Sequence, residues 1–141
     1  MFKKILVAVD GSAANERILL FAEHVARLEE ASLVVLHAYR LPQEYEWTAA
    51  YEAICSHFES MAAEVVSDAL EVLEAAGATA EAEVREGPAA DAILGAARAH
   101  TADLIVMGSR AASRASIPEA LLGSVSATVL RYAGCPVLIV P

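Results

Sequence analysis

Short solid blocks of apolar residues alternate along this chain with longer stretches in which apolar residues return every three or four positions. Lys4 to Val9 (KILVAV) is the first block, apolar in succession and rich in β-branched residues. That is how a strand covered on both faces reads. From Ala13 to about Glu30 the spacing is helical, with Ile18, Phe21, Ala22, Val25 and Leu28 recurring on one stripe. Ser32 to Ala38 predicts a second buried strand. A long Ala- and Glu-rich helix follows over about Ala49 to Ala76, with Gly77 as its C-terminal stop. Thr79 to Arg85 alternates, as a strand near a sheet edge does. Pro88 to His100 predicts a helix with proline near its first turn. Asp103 to Met107 is a third solid strand, Ser124 to Tyr132 a last helix, and Pro136 to Val140 a last strand.

The order β-α-β-α-β-α-β-α-β predicts an α/β fold: one doubly wound domain over residues 1–141, with a five-stranded, mostly parallel sheet and helices on both faces. Ligands of such sheets bind beyond the carboxyl ends of the strands, where strand order reverses. The ends after Val9, Leu36 and Met107 all qualify. The segment Tyr39 to Trp47 (YRLPQEYEW) is the least regular. It reads as an exposed connection or as a lid over a pocket.

Composition narrows the function classes. The chain has 141 residues, 57% hydrophobic and 21% charged. This is too apolar for a disordered chain. No apolar run approaches the roughly 20 residues of a membrane-spanning helix. The N-terminus enters a strand directly and carries no cleavable leader pattern, so the expected location is cytoplasmic. The formal net charge of -9 makes nucleic acid and anionic membranes poor partners. Cys55 and Cys135 form no metal motif, and Cys135 reads as a small core residue.

Three places carry candidate chemistry. Asp10-Gly11-Ser12 follows the first buried strand. An acid there faces the crevice, Gly11 permits a sharp turn, and Ser12 can cap the next helix. Asp10 and Ser12 as mere capping groups remain the plain alternative. Met107-Gly108-Ser109 ends the third solid strand, and Gly123-Ser124-Val125-Ser126 opens a helix. A Gly-Ser pair at a helix start offers free N–H groups, a hydroxyl and the positive dipole end to an anion. A plain N-cap at Ser124 or Ser126 explains the same residues. Between them, Arg110 and Arg114 lie in a stretch without acids, either as polyphosphate partners or as solvated loop charges. The histidines are scattered, and His37 reads as a satisfied core or crevice residue. No serine sits in a hydrolase elbow, and no glycine-lysine phosphate loop is present. The residues therefore nominate no catalytic group and no metal ligand.

Three stretches, KKILVAVDGS, GPAADAILGAARAHTADLIVMGSR and LLGSVSATVLRYAGCPVLIV, resemble the universal stress protein family, and the likeness spans essentially the whole chain. The resemblance implies an adenine-nucleotide-α-hydrolase-like fold and a stress-response regulator. ATP-binding members carry a glycine, two residues, a second glycine, nine residues, then Gly-Ser or Gly-Thr. Here Gly108, Gly123 and Ser124 match, but Ala111 replaces the second glycine and residues 112–122 make a longer spacer. The alanine methyl penalises positive φ and blocks close approach to phosphate.

For ATP, the resemblance implies Asp10 at the ribose or adenine end, with Ala8, Val9 and Ala38 meeting the base through backbone groups. It places Met107 and Gly108 on the floor, and Ser109, Gly123, Ser124 and Val125 around phosphates and ribose; Arg110 adds charge. Magnesium or manganese would be held mostly by phosphate oxygens. A homodimer paired through the last strand, Val137 to Val140, is also implied, alongside protein partners the sequence does not name. A nucleotide-free dimeric scaffold that has lost the site is the alternative. A slow ATPase or self-phosphorylating enzyme, with Ser109, Ser113, Ser116 or Ser124 as acceptors, ranks below both, because Asp10 is the one evident base.

Overall fold

The computed structural model describes residues 1–109 and 123–141. Five strands, β1 (Lys4–Val9), β2 (Ser32–Tyr39), β3 (Ala80–Glu86), β4 (Leu104–Gly108) and β5 (Val137–Val140), form one sheet in the order β3-β2-β1-β4-β5. Every pairing is parallel. The helices are α1 (Asn15–Glu29), α2 (Tyr51–Ala75), α3 (Ala89–Ala99) and α4 (Ser124–Tyr132).

Strands β1 to β3 step one way across the sheet, and α1 and α2 pack on one face. The chain then returns through β4 and β5, with α3 and α4 on the other face. Crossovers of constant hand require this change of face when the direction changes. Alternate residues of each buried strand serve the two cores. Ile5 and Val7 face α1 and α2, while Leu6 faces α3 and α4, and all three are fully buried. Burying each stabilises the fold by roughly 1.5–3 kcal/mol. A block without polar interruptions is the composition this requires.

The predicted elements are all present, with ends shifted by a residue or two. Gly77 ends α2 as expected, at φ 85°, with the Ala78 N–H donating to the Leu73 carbonyl. Helices α1 and α3 end the same way on Glu30 (φ 56°) and Thr101 (φ 50°), where no glycine marks the stop. Pro88 is the N-cap of α3 rather than part of its first turn. The segment 39–47 is the exposed connection: Gln43–Tyr45 is a single 3₁₀ turn and Trp47 is 86% exposed. Cys135 packs beside the α3–α4 core, and burial, aided by Asp103, pushes its thiol pKa up.

One expectation needs correction. Of the three strand ends proposed, strand order reverses at only one junction, between β1 and β4. The crevice therefore opens beyond Val9 and Gly108, and β2 borders it from one side. Among the described residues no helix is long and apolar enough to cross a membrane.

Candidate functional site

At the β1–β4 junction lies a cavity of about 220 Å³. Its walls come from every element that reaches the carboxyl edge of the sheet centre. Ala8, Val9 and Asp10 arrive from β1, Ala38 from β2, and Met107, Gly108 and Ser109 from β4. Gly123, Ser124 and Val125 close it from the start of α4. These are the residues nominated from sequence, except Arg110, which lies outside the described residues, as do Ala111, Ser113, Arg114 and Ser116.

The lining also contains Ser12 and Ser126, which stood in the candidate motifs, and Leu36, Ala89, Ile93 and Ile18, which the sequence reading did not nominate. Leu36 lies two residues before Ala38 on the same face of β2, so the strand period alone nominates it. Ala89 and Ile93, one turn apart on α3, have no comparable signal, because the pattern does not say which helix covers the crevice. Ser12 and Ile18 enter from the α1 side. Ser126 sits in the inward stripe of α4 with Val129 and is 1% exposed.

The two ends of the cavity differ in chemistry. One is apolar, built from Ala8, Leu36, Ala38, Ile93 and Met107. A thin, flat ligand fits between alanines where larger side chains would fill the space. The other end is polar backbone. Helix α4 has Gly123 as N-cap, no side-chain cap and no acid in its first turn. The N–H groups of Ser124, Val125 and Ser126 precede the first internal bond of the helix, which runs from the Ala127 N–H to the Gly123 carbonyl at 3.0 Å. Among the described residues none of the three has an acceptor, as expected of a helix start. Neither Ser124 nor Ser126 is the N-cap.

At the β1 turn two backbone donors are already used by side chains. The Ser12 N–H donates to Asp10 Oδ1 at 2.9 Å. The Asp10 N–H donates to Asn15 Oδ1 at 3.1 Å, and Asn15 Nδ2 donates back to the Asp10 carbonyl at 3.2 Å. Ser12 does not cap α1; the N-cap is Ala14, without a side-chain bond. Behind this turn His37 Nδ1 donates to the Val9 carbonyl at 2.8 Å, the satisfied crevice histidine expected from sequence. Among the described residues no group of three His, Cys, Asp or Glu side chains is placed to hold a metal ion.

The model of the universal stress protein family matches residues 1–141. The chain belongs to that family. A Bacillus subtilis relative, universal stress protein YxiE, is 37% identical over 151 aligned positions that cover 99% of each protein. A universal stress protein solved in complex with cAMP is 31% identical, with a TM-score of 0.76 over 99% of this chain and 97% of the other. An Archaeoglobus fulgidus family member solved in complex with dAMP is 25% identical, with a TM-score of 0.68 over 99% and 98%. The doubly wound sheet seen here is thus the family's fold.

Proposed function

We propose that this universal stress protein binds an adenine nucleotide, ATP in the first instance, in the cavity at the β1–β4 junction. In this proposal it acts as a homodimeric regulatory protein of the stress response, in the cytoplasm. The observation that carries the proposal is the meeting of an apolar slot and a row of open amides in one cavity. A nucleotide has the same two-ended character: a flat base at one end and an anion at the other. The base suits the slot lined by Ala8, Leu36, Ala38 and Ile93. The phosphates suit the N–H groups and hydroxyl of Ser124 and the floor at Gly108 and Ser109. Asp10, whose Oδ1 is held by Ser12, has a second oxygen to accept a ribose hydroxyl.

The family members solved with cAMP and dAMP support an adenine ligand. A divalent ion accompanying a triphosphate is held in this proposal by phosphate oxygens rather than by side chains. The dimer is supported by β5, a four-residue apolar strand paired with β4 on one side and with no described strand on the other. An unpaired apolar edge of this kind favours pairing with a second copy. Two unpaired cysteines suit a reducing compartment.

A nucleotide-free dimeric scaffold is the competing proposal, favoured by Ala111 and the longer 112–122 spacer. The deciding experiment is to denature freshly purified protein, identify released nucleotide by mass spectrometry, and titrate ATP with magnesium by calorimetry. A co-purifying adenine nucleotide, or a heat of binding, supports the site. Neither result, with a stable dimer by light scattering, favours the scaffold.

A further inference from the structure

Ser126 lines the cavity, but its hydroxyl has no ligand role in the proposed binding mode. It is the sole polar residue in the core among the described residues, at 1% exposure. Its hydroxyl donates to the Ser109 carbonyl at 2.8 Å and lies 3.1 Å from the Gly123 carbonyl. A hydroxyl has one proton, so the shorter contact is the main bond. The same Ser109 carbonyl accepts the Gly123 N–H at 2.8 Å. Both lone pairs of that oxygen are therefore in use. The Ser109 N–H in turn donates to the Val140 carbonyl at 3.1 Å. These bonds join the ends of β4 and β5 to the first turn of α4 at one point. The chain leaves the point at Ser109 and returns to it at Gly123.

We infer that Ser126 is a positioning residue: its buried hydroxyl sets the direction of the open amides of α4 relative to the cavity floor at Gly108. It thereby sets how strongly the site distinguishes a phosphorylated nucleoside from the bare nucleoside. The inference rests on the nucleotide proposal. Hydrogen bonds weaken steeply as the donor angle departs from linear, and the helix-end field is confined to the first turn. A small swing of α4 therefore costs phosphate contacts. Apart from Met107 of β4, the apolar end of the cavity rests on β1, β2 and α3, which make no bond to Ser126, so base contacts should hardly respond.

The test compares the full chain with Ser126→Ala and Ser126→Thr, titrating AMP and adenosine by calorimetry and following amide hydrogen exchange at Gly123. The expected result for Ser126→Ala is a fall of about tenfold in AMP affinity, the scale of one lost charge-assisted hydrogen bond, with adenosine unchanged. Gly123 should exchange faster by about tenfold or more as the joint opens. Ser126→Thr, which keeps the hydroxyl, should restore both. Equal weakening of AMP and adenosine, or unchanged AMP affinity, would overturn the role in discrimination. Unchanged Gly123 exchange would overturn the joint itself. If the unaltered chain binds neither ligand, the nucleotide proposal falls and takes the discrimination role with it, while Gly123 exchange still decides the joint.

Discussion

The turn after β1 and the turn into α4 face one cavity from opposite sides, and both lead into helices. Neither helix has a side-chain cap, but their surroundings differ. After β1, the Asp10 and Ser12 N–H groups donate to Asn15 and Asp10, and Glu16 places an acid in the first turn of α1. In α4 no acid stands in the first turn. The bond that orders this second turn comes from Ser126, and it binds a carbonyl rather than an amide. One helix start thus carries a carboxylate that repels anions and the other does not. A helix N-terminus is not by itself a phosphate site; the charge in its first turn also decides.

The sharpest way to break this contrast is to make the second turn like the first. Ser124→Asp puts a carboxylate among the open amides of α4. It should weaken ATP binding about thirtyfold, roughly 2 kcal/mol, through competition and like-charge repulsion. Adenosine affinity should hardly change. Calorimetry with both ligands checks this, and an undiminished ATP affinity would refute the assignment of the open turn.

Asp10→Asn tests the turn after β1. Asparagine keeps an oxygen for the Ser12 N–H, so the melting temperature should hold. Ribose loses a charged acceptor, which is worth about 1 kcal/mol. ATP and adenosine should therefore weaken together by about fivefold; a loss confined to ATP would move Asp10 away from the ribose.

Gly108→Ala probes the floor between the two turns. The added Cβ would lie 3.0 Å from Ile18 Cδ1, the mobile end of a side chain. The cost in urea denaturation should be under about 1 kcal/mol, and Ile18→Val should recover it. A much larger loss would mean that Ile18 cannot yield.

The smallest effect belongs to a control outside the cavity lining. On edge strand β3, burial raises the Glu83 pKa, but hydrogen bonds from His100 and Arg85 outweigh it and hold the carboxyl below its usual range. His100 Nε2 lies 2.7 Å from Glu83 Oε2. With the folded pKa depressed, this stability is present above the unfolded value of about 4.3 and is lost as pH falls through the lower folded pKa. Glu83→Gln should flatten that acid limb by only a few tenths of a kcal/mol, since the group is partly solvated. Nucleotide affinity should stay the same. Any change in affinity would tie the β3 edge to the site.

Much of this was legible before the fold was known. The blocks KILVAV, SLVVLHA and DLIVM read as strands buried on both faces, and Gly77 announces the end of α2. Asp10 and Gly108 come at the ends of such blocks, and Gly123 and Ser124 open the helix that follows one, which places them at the carboxyl edge of the sheet. The αL stops at Glu30 and Thr101 were not legible. Glutamate and threonine carry no conformational signal for positive φ, and the surrounding packing imposes it. Ile93 and Ala89 were equally silent, because an inward-facing helical residue looks the same whether it meets a core or a crevice. Ser126 left a faint trace, a serine in the apolar stripe of α4, but its partner Ser109 is distant in sequence.

The sequence alone determined the elements, their order, the two-sided burial of the sheet and the identity of the family. It did so because period, block length and turn chemistry are local properties of the chain. The tertiary structure alone decided which strand ends adjoin, since order reverses only between β1 and β4. It also decided which helix start faces the cavity beside Gly108 and which carbonyl Ser126 holds. Those depend on contacts between residues far apart in the chain, and hydrogen-bond donors are assigned only when the elements meet.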